Sequence, residues 1–266
     1  MGFVNVNNQE IFYEDSGGDG KPLLFLHGFL FDSTMFEAQV QALAPDYRCI
    51  RLDTRGFGKT VWDGQEFGLY DTVSDVIGVM NALSLDKVCM IGMSQGAYAT
   101  IRLALKHPER LTAMVLMSTR KDIMPEEFKQ NYATLRDSWV ELGPFEQAIT
   151  SLMTLLIGPQ EKFGKYWDMW RPKWEVFPGN NMFHTVNALL ARVLLTDEQI
   201  GAIETPVLSI HGLDDFGTPV TLADELYATL PEGKGKVRIP GAAHAVNMTH
   251  ADQIIEPLRE FLDEYA

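Results

Sequence analysis

Short apolar runs that alternate with segments of helical period constrain this chain more than any other feature. Leu23–Leu26 runs into His27-Gly28, Tyr47–Leu52 into Asp53, Val88–Ile91 into Gly92, Val207–Ile210 into His211-Gly212 and Lys236–Ile239 into Pro240-Gly241. Ala113–Met117 is a sixth run. Brief, nearly continuous apolar runs suit strands buried on both faces of a parallel sheet. Between them Val73, Val76, Ile77, Met80 and Leu83 recur at helical spacing, and Thr72 with Asp75 predicts a capping box at that helix start. Ile254, Ile255, Leu258, Phe261 and Leu262 predict a helix at the C-terminus. Phe3–Ser16, interrupted by Asn7-Asn8, reads as an antiparallel hairpin at the sheet edge. Strand–helix alternation of this kind argues for an α/β fold with a mostly parallel sheet.

One interval departs from the rhythm. From Lys121 to Ala202 there are helical patterns and no convincing strand, divided at Gly143-Pro144, Gly158-Pro159 and Pro178-Gly179 into roughly four helices. This predicts a helical cap over residues 121–202, inserted into a core domain made of residues 1–120 and 203–266. Four of the five tryptophans lie in it: Trp139, Trp167, Trp170 and Trp174. Most of them are expected to form the cap's own core, with a minority facing what lies beneath.

Composition narrows the partners. The chain has 266 residues, with 22 Lys+Arg against 36 Asp+Glu, for a net charge of −14. Such a surface repels phosphate backbones and anionic lipid, so neither nucleic acid nor membrane is an expected partner. No apolar run approaches the 18 or so residues of a membrane span. The stretch MGFVNVNNQE has no basic region followed by an apolar core, so a secretory signal is not expected. Cys49 and Cys89 sit inside apolar runs and read as buried free thiols in a reducing compartment, the cytoplasm. The Asn247-Met248-Thr249 sequon then reads as chance, and no cysteine spacing suggests a metal.

The segment Val88–Ala97 carries the chemistry: a strand, then Gly92-Met93-Ser94-Gln95-Gly96, then a helix. A serine hydroxyl is a poor nucleophile until a fixed geometry presents it to a base. A sharp strand-to-helix turn lifts Ser94 above the sheet, and the first turn of the helix offers the Gln95 N–H to developing negative charge. After the first apolar run, Gly28 lets the chain turn so that the Phe29 N–H aims at the same oxygen. Of six histidines, His107, His211, His184 and His250 read as helix-end, strand-end or surface residues, and His27 as structural. His244 follows the last strand on the small-residue loop Gly241-Ala242-Ala243, which can carry an imidazole across the sheet to Ser94. The orienting acid is expected in His211–Pro219, where both Asp214 and Asp215 are available.

Taken together, His27-Gly28-Phe29, Asp53–Gly58, Gly92–Gly96, His211–Pro219 and Gly241–His244, in that order, make the chain similar to the α/β-hydrolase family. The resemblance covers essentially everything outside the cap. It implies an α/β-hydrolase fold, a mostly parallel eight-stranded sheet flanked by helices with a helical cap insertion. Its spacing selects Asp215 over Asp214, giving Ser94, Asp215 and His244 as the implied catalytic residues. It also implies a structural role for the Asp53–Gly58 loop, with Arg55 in a salt bridge. The overall look resembles small esterases, enol-lactonases and cofactor-free haloperoxidases. Many of those carry Met after the nucleophile, where this chain has Gln95. A serine nucleophile argues against the dehalogenase and epoxide-hydrolase branches, which use aspartate.

The expected reaction is acyl transfer to water from a small ester or lactone, with the Phe29 and Gln95 N–H groups as the oxyanion hole and no cofactor or metal. Leu30, Trp139, Trp167 and Val246 are the expected substrate contacts. An aromatic and acidic cap predicts neutral substrates, and a preference for anions would point to Arg120, Lys121, Arg171 or Arg192. Perhydrolysis, C–C bond or amide hydrolysis, and a receptor role for a slow hydrolase are the competing readings of the same residues. The sequence leaves the oligomeric state open.

Overall fold

The computed structural model describes residues 1–121 and 125–266, so residues 122–124 of the expected cap lie outside the described residues. The strands are β1 (Gly2–Val6), β2 (Gln9–Asp15), β3 (Pro22–Leu26), β4 (Arg48–Leu52), β5 (Val88–Met93), β6 (Leu111–Met117), β7 (Val207–Gly212) and β8 (Gly233–Ile239). They form one eight-stranded sheet in the order β1-β2-β4-β3-β5-β6-β7-β8. The six strands from β3 to β8 pair in parallel, whereas β1 and β2 are antiparallel. The predicted hairpin is thus at the edge, turned by Asn7 and Asn8 with φ of 50° and 62°. Asn tolerates this left-handed conformation better than most residues.

The helices are α1 (Glu37–Leu43), α2 (Leu69–Ala82), α3 (Gln95–Lys106), α4 (Glu126–Leu142), α5 (Glu146–Leu156), α6 (Gln160–Trp174), α7 (Gly179–Leu190), α8 (Asp197–Gly201), α9 (Val220–Thr229), α10 (Val246–Thr249) and α11 (Ala251–Tyr265). Successive strand residues point to opposite faces, and both faces are buried. Leu23, Phe25, Cys89 and Ile91 pack on the side of α1 and α11, while Leu24, Leu26, Val88 and Met90 pack on the side of α2 and α3. Each such side chain contributes about 1.5–3 kcal/mol by leaving water. That double burial is why the strands read as continuous apolar runs.

The helix predicted from Thr72 and Asp75 begins one turn earlier. Leu69 is already helical and buried, and the Asp71 carboxylate accepts the Gly68 N–H at 2.7 Å. Asp75 is not a cap: it is buried and accepts from Arg55 at 2.6 and 2.7 Å, the salt bridge implied for that arginine. The capping box failed as a prediction because a carboxylate needed by a buried guanidinium mimics one needed by a helix end.

Between β6 and β7 the described residues form only helices, α4 to α7 with breaks at the predicted Gly-Pro and Pro-Gly pairs, and then the short α8. They lie over the loops at the C-terminal ends of the strands. The Trp174 indole N–H donates to Leu30 O at 2.7 Å, Lys173 pairs with Asp32 at 2.7 Å, Asn181 donates to Gly56 O at 2.9 Å, and Ala245 N–H donates to Leu156 O at 2.7 Å. Phe31, from the loop after β3, meets Trp170 and Trp174 edge-on at 4.8 and 5.7 Å. These two tryptophans therefore join the helical interval to the sheet domain instead of packing within the interval alone. No helix among the described residues is long and apolar enough to cross a membrane.

Candidate active site

Ser94 stands between β5 and α3 with φ 51° and ψ −111°. That conformation is costly for any residue with a Cβ, and it is held because neighbours over-determine it. Ser94 N–H donates to Met117 O on β6 at 2.8 Å, and Ser94 O accepts the Tyr98 N–H at 3.0 Å. Only glycine suits position 96, because a Cβ there would collide with the carbonyl oxygen of Leu26 on β3. Gly28 also sits close: a Cβ there would lie 2.6 Å from the Met93 sulfur, which would have to move, and 3.3 Å from the Ser94 Cβ. The turn after β3 is thereby pressed directly against Ser94. Phe29 follows that turn, and Gln95 opens α3, where the first N–H groups lack intrahelical acceptors.

His244 arrives from the loop after β8. Its Nε2 lies 2.8 Å from Ser94 Oγ and its Nδ1 lies 2.6 Å from Asp215 Oδ2. Asp215 also accepts the Thr218 N–H at 2.8 Å on its other oxygen. An ionised carboxylate only accepts, so Nδ1 carries the proton and Nε2 is left as the acceptor for the serine hydroxyl. All three side chains are buried. The loop that presents His244 is anchored from beneath, where Ser118 Oγ–H donates to His244 O at 2.6 Å.

Asp214 and Asp215 separate cleanly. The Asp214 side chain is exposed, and its N–H donates to Ala242 O at 2.9 Å. Asp215 is 3% exposed. Burial alone would raise its carboxyl, but the charge of His244 and hydrogen bonds from His211 and His244 outweigh that and hold it well below the usual carboxylate range. The sequence reads His211 as a strand-end residue, but the structure places it against Asp215. The His211 Nε2–H donates to Thr218 O at 2.7 Å and lies 3.3 Å from Asp215 Oδ2, the same oxygen that faces His244, so it braces the acid alongside His244. Its four-residue separation from Asp215 does not by itself distinguish it from any other strand-end histidine; the contact in space does.

A depressed Asp215 has a consequence for pH dependence. The carboxylate form persists as pH falls, so the interactions it makes are complete at neutral pH and are lost only as pH drops through its low folded value. Asp215 is therefore expected to contribute no step of its own to the acid limb of kcat/KM. A plot of log kcat/KM against pH should have a limiting slope of one down to the lowest pH at which the protein stays folded. A slope approaching two would mean that Asp215 titrates in the same range.

Ser94 and His244 line a common chamber. Its apolar wall comes from Phe29 and Phe31 after β3, Phe128 on α4, Leu155 and Leu156 on α5, and Leu189 on α7. Tyr98, Tyr132, Arg120 and Arg192 also line it. None of the four expected substrate contacts does. Trp139 is fully buried and donates its indole N–H to Phe177 O at 3.0 Å, and Trp167 donates to Gly158 O at 2.9 Å. A buried indole needs an acceptor, and internal carbonyls bind these two into the helical interval. Leu30 has φ 64° and lines a separate cleft with Asp32, Lys173 and Phe177. Val246 is buried at the start of α10.

The remaining histidines fall into structural places. His27 is buried, with Nδ1 2.8 Å from Gly28 O and Nε2 accepting the Thr54 N–H at 3.0 Å. His107 caps the end of α3, His250 precedes α11, and His184 packs edge-on against Trp62. Both cysteines are free and buried, and burial pushes the Cys49 thiol up to about 12 and raises Cys89 as well, so neither is a nucleophile at neutral pH. Among the described residues no three His, Cys, Asp or Glu side chains converge as metal ligands would.

Known proteins match this arrangement over nearly its full length. A family model described as the alpha/beta hydrolase fold matches residues 21–251. A putative non-heme chloroperoxidase of Synechocystis sp. is 28% identical, with 98% of each chain covered. Among solved structures, a thermophilic esterase from Thermogutta terrifontis superposes with a TM-score of 0.88 at 25% identity, covering 96% of this chain and 94% of the other. The enol-lactonase from Burkholderia xenovorans LB400 superposes with a TM-score of 0.89 at 22% identity, covering 98% and 100%. Because the family match runs from the residue before β3 to the start of α11, and so takes in the Ser94 elbow, the Asp215 loop and His244 together, the chain belongs to the alpha/beta hydrolase family.

Proposed function

We propose that this protein is a serine hydrolase that cleaves a small carboxylic ester or lactone through an acyl-enzyme intermediate. The observation that carries the reading is the continuous hydrogen-bonded line from Ser94 Oγ through His244 to Asp215, at 2.8 and 2.6 Å, opening into a largely apolar chamber. Ser94 Oγ attacks the carbonyl carbon while His244 Nε2 takes its proton. Asp215 holds the imidazole in the required tautomer and stabilises the imidazolium that forms. The N–H groups of Phe29 and Gln95 receive the oxyanion, a contribution of about 10²–10³ in rate for each donor. As the C–O bond breaks, His244 returns the proton to the leaving alkoxide, which departs as an alcohol or, from a lactone, stays attached as a hydroxyl. Water, deprotonated by His244, then attacks the acyl-enzyme and releases the acid and Ser94.

The esterase of Thermogutta terrifontis, similar over most of both chains, supports ester chemistry here. The chloroperoxidase name of the Synechocystis relative favours a second outcome at the same intermediate, in which hydrogen peroxide replaces water and releases a peracid. Two buried free thiols and the absence of a membrane-crossing helix among the described residues support work on a small molecule in a reducing compartment, the cytoplasm. Nucleic acid and membrane are not proposed partners at a net charge of −14.

The test is a panel of short aryl esters and lactones, with turnover quenched in acid and the protein digested. Mass spectrometry is expected to find the acyl group on the peptide that contains Ser94. Added peroxide should divert the acyl group to peracid if the second outcome operates. Turnover absent across the whole panel, or an acyl group on another residue, would reject the reading.

A further inference from the structure

Arg192 is a buried cation without a counter-ion. It follows α7, is 8% exposed, and lines the same chamber as Ser94 and His244. Its Nε, Nη1 and Nη2 all lack a hydrogen-bond partner, and among the described residues no carboxylate lies within ion-pair distance of it. Two comparably buried arginines are satisfied: Arg55 pairs with Asp75, and Arg102 donates to Tyr98 O at 3.0 Å and Val193 O at 2.9 Å. A guanidinium does not lose its proton at any ordinary pH, so Arg192 cannot escape the cost of burial by becoming neutral.

The side chain is nevertheless held in place. Its guanidinium carbon sits 4.3 Å from the centre of the Tyr98 ring, a cation–π contact that orients the group without using any of its N–H donors. Arg102 ties the backbone beside it, at Val193, to α3. Asp215, the acid of the catalytic line, already takes His244 on one oxygen and the Thr218 N–H on the other. Tyr132 adds a neutral hydroxyl to the chamber wall, since burial pushes its phenol up to about 12.

We propose that Arg192 anchors a carboxylate carried by the substrate, so that the enzyme prefers short esters or lactones bearing a free carboxylate over neutral ones. The guanidinium fork matches the planar two-oxygen geometry of a carboxylate, and the apolar walls suit the short carbon chain that links it to the scissile carbonyl. Tyr98, which holds Arg192, lies in the first turn of α3 just after Ser94, so the guanidinium and the serine belong to the same end of the chamber. This inference rests on the acyl-transfer reading above, and it replaces the neutral substrate expected from the cap's composition.

The experiment compares kcat/KM for the mono-4-nitrophenyl ester of glutaric acid with that for its methyl-capped diester. The wild-type ratio is expected to favour the acid by about 10–100-fold, the range of charge-assisted hydrogen bonds. Arg192→Gln should collapse the ratio towards one, chiefly through KM, and Arg192→Lys should restore part of it. A wild-type ratio below about three overturns the proposal whether or not the variants fold, and so does a ratio that Arg192→Gln leaves intact. Calorimetric titration of the wild type with glutarate separates the two readings. Binding that Arg192→Gln abolishes upholds the anion site even if neither ester is cleaved, whereas turnover of the diester without glutarate binding rejects the anion site and leaves acyl transfer standing.

Discussion

Replacing Ser94 by alanine is expected to lower kcat on a short aryl ester by roughly 10⁴-fold or more, in the range seen when a serine hydrolase loses its nucleophile. Neither His244 nor either cysteine can substitute. His244 is aimed at the Ser94 position by Asp215 and is not itself positioned to be acylated, and burial holds both thiols protonated. Residual turnover of about 10³–10⁴ over water is still expected, because the proposed oxyanion donors belong to the backbone and survive the substitution. Thermal stability should barely change. Alanine carries the same Cβ at φ 51°, so the strain at the elbow is unaltered, and only the hydroxyl's hydrogen bond to His244 disappears. Steady-state kinetics and a thermal melt on the same preparation check both statements. Turnover within tenfold of the wild type would sink the nucleophile assignment.

The second large effect separates two neighbouring carboxylates. Asp215→Asn is expected to lower kcat by about 10⁴-fold, because the amide offers N–H as well as oxygen to His244 and favours the tautomer with its proton on Nε2, which can no longer accept from Ser94. Nothing in the geometry needs to move for that loss to occur. Asp214→Asn should stay within about threefold, since the Asp214 side chain is exposed and its contact to Ala242 is made by the backbone. The pair therefore tests position against composition: two aspartates, adjacent in sequence, with opposite environments. Equal effects, or a larger effect at Asp214, would mean that the imidazole is oriented from elsewhere.

Much of this site is legible in the amino-acid sequence. The elbow is local. A strand, a glycine, the serine, another glycine and a helix must be adjacent for Ser94 to be lifted at positive φ while α3 passes close to β3, so sequence spacing carries the signal directly. The same is true of the hairpin at Asn7-Asn8 and of the breaks between α4, α5, α6 and α7, each written in residues with distinctive backbone preferences. His244 and Asp215 are legible because strand ends in a parallel sheet converge on one edge, so residues just after β7 and β8 arrive near those just after β5.

The lining of the chamber is not legible, and the reason is physical. The residues of the helical interval that reach the chamber, Phe128, Tyr132 and Leu189 among them, are ordinary members of amphipathic helices. Which face of a helix covers a chamber depends on how that helix is rotated against its neighbours, and no short-range pattern encodes it. Tryptophan content therefore overstates the substrate contacts: the indole N–H groups of Trp139, Trp167 and Trp174 each donate to an internal carbonyl.

Spacing and backbone preference thus determined the α/β architecture, the elbow serine, the imidazole and, with the family's pattern, the choice of Asp215. Those features depend on neighbours in sequence or on the shared edge of a parallel sheet. Tertiary structure alone decided that His211 braces Asp215 and that Arg192 is enclosed without a partner above Tyr98. Charge balance along a chain cannot reveal an unpaired buried cation, because pairing is set by distance in space. A net charge of −14 says only that carboxylates are plentiful, and the fold places none of the described ones within reach of that arginine.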